Sequence, residues 1–215
     1  MKEKLDQLVV DIEFLLISVI QGVALAALAA AAAPIVVNLQ FEYWLYIISA
    51  FVFILIFWSQ AIMHVLGFIR WPLDLVHNFL YLFASLVEVM AFSVMNKPLL
   101  WFSFIFAFVS ITGILYYYDF LLIKKCEDEM CKTPSGKALY KNLYEEQAFD
   151  MKVYVPSGLF FTFCCAFLIY RFPNIFLTQR YHILLISLQV LFGLTIVFTS
   201  LKTFSKRLNL IAKNN

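Results

Sequence analysis

Charge is what this 215-residue chain has least of: only 14% of its residues are Asp, Glu, Lys or Arg, while 63% are hydrophobic, and the mean hydropathy is +0.86. Soluble domains carry about a quarter charged residues, so this composition excludes an ordinary water-soluble fold and reads as an integral membrane protein. Glycine and proline are also scarce, at six each, and alternating apolar and polar residues are absent. A barrel is excluded on that pattern, which leaves helices to satisfy the backbone in lipid. The four cysteines make no disulfide framework: Cys126 and Cys131 sit in a charged stretch without a second pair or a nearby His, and Cys164 and Cys165 lie in an apolar one. They read as ordinary thiols rather than a zinc site. No phosphate loop, His-Glu-x-x-His helix or nucleophile elbow is present, so the sequence predicts no enzyme, no cofactor and no metal, and nothing in it suits nucleic acid.

What is present is a series of long apolar runs. Six spans are expected, at about 12–33, 43–64, 73–95, 99–122, 153–170 and 181–201, with Pro34 closing the first and Pro72, Pro98 and Pro173 between others. The first run is too long, and its acidic lead-in too mixed, for a cleavable signal. The expected architecture is one all-α domain over residues 1–215, a six-helix membrane bundle. Thirteen basic residues, among them Lys2, Lys4, Arg70, six lysines between Lys124 and Lys152, and Lys202, Lys206, Arg207 and Lys213, fall on one side of such a bundle. Only Lys97, Arg171 and Arg180 fall on the other, which places both termini in the cytoplasm. Trp71 and Trp101 suit the interfacial belts. Residues 124–152 balance six bases with six acids and read as a solvated connection that could dock a partner.

Polar residues inside the spans carry the functional signal. Glu88 lies mid-span, where an ionisable group must face a partner or a cavity. His77, Tyr81 and Ser85 precede it at helical spacing, so all four share one face. Glu13 and Gln21 share a face of the first helix. Glu13, His64, Asp74 and His77 are expected to meet at the cytoplasmic mouth, with Gln21, Ser85 and Glu88 deeper. Asp119 closes the fourth span, and polarity appears concentrated in helices one to three. Three histidines, none expected at equal depth on different helices, argue against haem. Gly22, Ala26, Ala29, Ala30 and Ala33 make a small-residue face that either packs closely on another helix or lines an axis.

Ser49 onward, with Trp58 and His64, and the run Asn78-Phe79-Leu80-Tyr81-Leu82-Phe83 resemble the second and third helices of prokaryotic members of a potassium-channel family whose animal relative is the lysosomal transmembrane protein 175. The resemblance covers residues 17–92. It implies six helices per subunit and a tetramer assembled around the first helices. The family's Phe-Ser-Asp triplet is replaced here by Val19-Ile20-Gln21, followed by Gly22, and the constriction position falls near Ala26. On this reading Gln21, Gly22, Ala26 and Glu88 belong to the ion pathway, supported by Glu13, His64, His77, Asn78 and Ser85. The expectation is an oligomeric channel for small monovalent cations, potassium first, in a bacterial inner membrane with lipid as its surroundings. A secondary transporter, or a non-transporting component that docks a partner through 124–152, is the alternative.

Overall fold

The computed structural model describes residues 2–67 and 74–212; side chains of Lys2, Glu3, Gly67, Glu129, Ser135 and 206–212 are outside that description. Arg70, Trp71, Pro72 and Lys213, used above for orientation and span ends, lie outside the described residues. The described chain is all-helical, with no strand. Its elements are α1 (Lys2–Val37), α2 (Trp44–Gly67), α3 (Leu75–Phe92), α4 (Pro98–Lys125), α5 (Glu127–Met130), α6 (Pro134–Phe149), α7 (Val155–Arg171) and α8 (His182–Ala212). Six helices are long and apolar enough to cross a membrane, α6 and α7 counting as one.

The local chemistry explains most of the boundaries. Pro98 occupies the first turn of α4, where no N–H is needed, and Asp74 caps α3 by accepting from the backbone N–H groups of Val76 and His77. Pro34 does not end α1 as the sequence suggested. The helix runs on to Val37 and then turns, with Asn38 N–H donating to the Pro34 carbonyl. One missing hydrogen bond near a helix end is a cost that the following turn offsets.

The charged connection is a helix packed along one face rather than a wholly solvated one. α6 starts on a Thr133 cap, continues through a π-helical turn at Asp150–Tyr154 and becomes α7 without a break. Its buried face, Leu143, Gln147 and Asp150, packs on α4 and α8, and the Gln147 amide donates to the Tyr116 carbonyl at 2.8 Å.

Around the bundle, α7 packs on α4, α4 on α3, α3 on α1, α1 on α2 and α2 on α8. Sequential helices run antiparallel, so the ends bearing most of the lysines come together; we call this the basic end. α1 is attached by one stripe, Val9, Glu13, Ile17, Gln21, Ala24, Leu28, Ala32 and Ile35, and most of its surface is otherwise uncovered.

The α2–α8 contact depends on Gly193, where a Cβ would stand 2.7 Å from Val52 Cγ1. Both atoms belong to short, stiff groups, so one helix must shift. Gly193→Ala should therefore cost about 1–3 kcal/mol, the usual range for overpacking. Denaturant unfolding in detergent should show the loss, and a Val52→Ala, Gly193→Ala double variant should recover part of it. Equal stability of Gly193→Ala and the parent protein would disprove the close approach.

Candidate functional site

Three helices meet at the basic end through polar side chains. His64 comes from the last turn of α2, His77 from the first turn of α3, and Asp119 from α4 two turns before its end. Antiparallel packing brings these positions to one depth. His64 Nδ1 stands 2.9 Å from Asp119 Oδ2, and His77 Nε2 stands 3.2 Å from Asp119 Oδ1. The carboxylate is completely buried and the two rings nearly so, at 0%, 6% and 7% side-chain exposure. The distances are those of close polar contact, yet neither Asp119 oxygen accepts a hydrogen bond from a described residue. The other nitrogen of His77, Nδ1, is buried with no hydrogen-bond partner among the described residues.

A frame of hydrogen bonds surrounds the trio. Asp74, besides capping α3, accepts from the Tyr118 hydroxyl at 2.8 Å, which ties the residue before Asp119 to the turn that carries His77. Asn78 donates to Glu13 Oε1 at 2.9 Å and so links α3 to α1. Tyr116 sets its ring edge-on to His64, with centroids 5.9 Å apart.

The stripe on α3 is one buried face: His77, Tyr81, Ser85 and Glu88 are each at most 5% exposed. Its members do different things. The Tyr81 hydroxyl accepts from the Gln21 amide of α1 at 2.9 Å, and its ring stacks on Phe57 of α2, centroids 4.6 Å apart. Ser85 turns back on its own helix, donating to the Tyr81 carbonyl at 3.1 Å. Glu88 is fully buried, and neither of its oxygens accepts a hydrogen bond from a described residue. An ionised carboxylate there carries the full desolvation cost.

The residues expected in the ion pathway divide between two surfaces. Gln21 and Glu88 are inside the bundle, while Gly22 and Ala26 face outward on α1, as do Ala29, Ala30 and Ala33. Nothing lies within 4 Å of a Cβ built on Gly22, and Ala26, Ala29, Ala30 and Ala33 are exposed, with Ala30 at the edge of a cleft shared with Val89 and Phe92 of α3. Of the expected mouth cluster, His64 and His77 meet on Asp119, while Asp74 bonds Tyr118 and Glu13 bonds Asn78. That corrects two readings: histidines on different helices do share a depth, and polarity is not confined to helices one to three. The signal lay in the helix ends. His64 is near the end of α2, His77 near the start of α3 and Asp119 near the end of α4, all on the lysine-rich side.

Two buried polar pairs hold α8. His182 Nδ1 lies 3.1 Å from the Tyr46 hydroxyl, and Trp101 Nε1 donates to Gln189 Oε1 at 2.9 Å. Both tie α8 to its neighbours. A cavity of about 90 Å³ lies between α2, α4, α7 and α8, with Gln60, Thr112, Asp150, Thr162 and Gln189 among the polar residues of its mostly apolar lining.

No protein-family model, curated protein or solved structure matches this chain.

Proposed function

We propose that this is an integral membrane protein with both termini in the cytoplasm, working as an oligomeric channel for small monovalent cations around an axis lined by α1. The observation that carries the reading is the two-sided character of α1. Its inner face is clamped to α3 by Glu13–Asn78 and Gln21–Tyr81, while its outer face of Gly22, Ala26, Ala29, Ala30 and Ala33 is uncovered. Small side chains let helices from several copies approach a shared axis and leave room between them. The basic end supports the cytoplasmic placement of the termini by the positive-inside rule. The resemblance to the potassium-channel family supports a tetramer, potassium as the first ion to try and a bacterial inner membrane. In this arrangement Gly22 and Ala26 line the path, and Gln21 and Tyr81 hold the lining helix from behind.

Purified protein in liposomes tests the reading by potassium flux measured against sodium and proton flux. Ala26→Trp should abolish that flux while the oligomer, sized by light scattering, persists. Full flux through the Trp variant would remove α1 from the pathway, and absence of flux from well-folded parent protein would remove the channel.

The buried Glu88 and the His64–Asp119–His77 trio favour one other reading, a proton-coupled secondary transporter that works inside a single bundle. Flux that saturates with substrate and stops without a proton gradient would select it.

A further inference from the structure

We propose that His64, His77 and Asp119 form a binding site for one divalent transition-metal ion, with Zn²⁺ the best match. The trio supplies one donor atom from each of three helices, and the three donors lie within 4.8 Å of one another. A tetrahedral ion with bonds of about 2.0–2.1 Å to nitrogen or oxygen sets its donors about 3.3 Å apart. His64 Nδ1 stands 2.9 Å from Asp119 Oδ2 and His77 Nε2 stands 3.2 Å from Asp119 Oδ1, so two imidazoles flank one carboxylate at close to that spacing.

The donor set selects the class of ion. Two imidazoles and one carboxylate suit zinc and its neighbours, whereas magnesium and calcium seek shells made of oxygen. Three protein ligands leave a fourth position for water or another small ligand.

The unmade bonding in the trio points the same way. Asp119 keeps two buried oxygens without a proper hydrogen bond although two imidazoles face it at contact distance. A cation held by the trio would use the lone pairs of the Asp119 carboxylate, which no hydrogen bond occupies. Pre-positioning is also in place. Asp74 and Tyr118 brace the turn carrying His77 against the turn carrying Asp119, and Tyr116 packs on His64. Such surrounding contacts orient ligands before an ion arrives.

The test uses the full-length, tag-free protein in detergent, stripped with a chelator and titrated with Zn²⁺ by calorimetry and with Co²⁺ by absorption. We expect one ion per chain and a Co²⁺ spectrum with visible d–d bands and no thiolate charge-transfer band. Separate His77→Gln and Asp119→Asn variants should each raise Kd by about 100-fold or more, since even outer-shell partners are worth 10- to 100-fold. Three results would overturn the site: no saturable binding to the parent protein, a thiolate band that moves the ion to Cys126 and Cys131, or unchanged affinity in both variants. The parent-protein spectrum decides the matter even if a variant does not fold.

Discussion

Asp119→Ala should be the most damaging single substitution in the basic half of the bundle, lowering the stability of the metal-free protein by about 1–3 kcal/mol, as leaving buried polar groups without their partner does. The carboxylate is wholly buried and is the contact that the ends of α2 and α3 share through His64 and His77. Removing it strips both ring nitrogens of their acidic neighbour and leaves a void that three helix ends must close around. Because Tyr118 anchors Asp74, the damage extends to the cap of α3. Asp119→Asn keeps the volume and one acceptor, so its loss should be smaller. Denaturant titration in detergent with chelator present, read by tryptophan fluorescence, measures both. An Ala variant as stable as the parent would mean that the trio holds nothing together.

Glu88→Gln should have the opposite profile: stability equal to or above that of the parent, and function changed. The side chain is fully enclosed and no described residue donates to it, so nothing polar is lost when one oxygen becomes an amide nitrogen. The amide cannot ionise and escapes the cost of a charge in an apolar interior. Under the proposed function, a group kept in so unfavourable a place acts through its charge or its proton. We expect ion flux to change by roughly tenfold, equivalent to about 1.4 kcal/mol in the barrier, with its pH dependence altered and the oligomer intact. Identical flux across pH 5–9, measured as outlined above, would strip Glu88 of any role in transport.

The spans were legible because lipid-crossing helices demand long apolar runs, and α2, α3 and α4 begin and end within a few residues of where those runs do. The face His77–Tyr81–Ser85–Glu88 was legible for a similar reason: spacing along one helix is fixed by its geometry. Partnerships between helices were not. That Gln21 would meet Tyr81 rather than Glu88 depends on how far α1 is shifted along α3, which no periodicity within one helix records. Asp119 was read as the close of a span because only the folded depth of α4 relative to α2 and α3 reveals its partners. Pro34 misled because proline weakens a helix without always ending it. The charges of 124–152 hid the continuity of α6 with α7, since a helix that leaves an apolar medium for a polar one changes composition without changing its backbone.

That continuity gives the molecule a mechanical element. Gly136 to Arg171 is one rod of 36 residues, about 54 Å long at 1.5 Å per residue, while a hydrocarbon layer is about 30 Å thick. Nearly half of the rod is therefore length beyond that thickness, a handle that packs on α4 and α8 and carries Lys141 and Glu145 on its open side, and the remainder is the shaft. The π turn at Asp150–Tyr154 sits where handle becomes shaft and stores one residue beyond what an α-helical turn holds. Returning that residue to regular winding would rotate one part against the other by about 100°. The winding of a single chain segment thus sets the angle between handle and shaft.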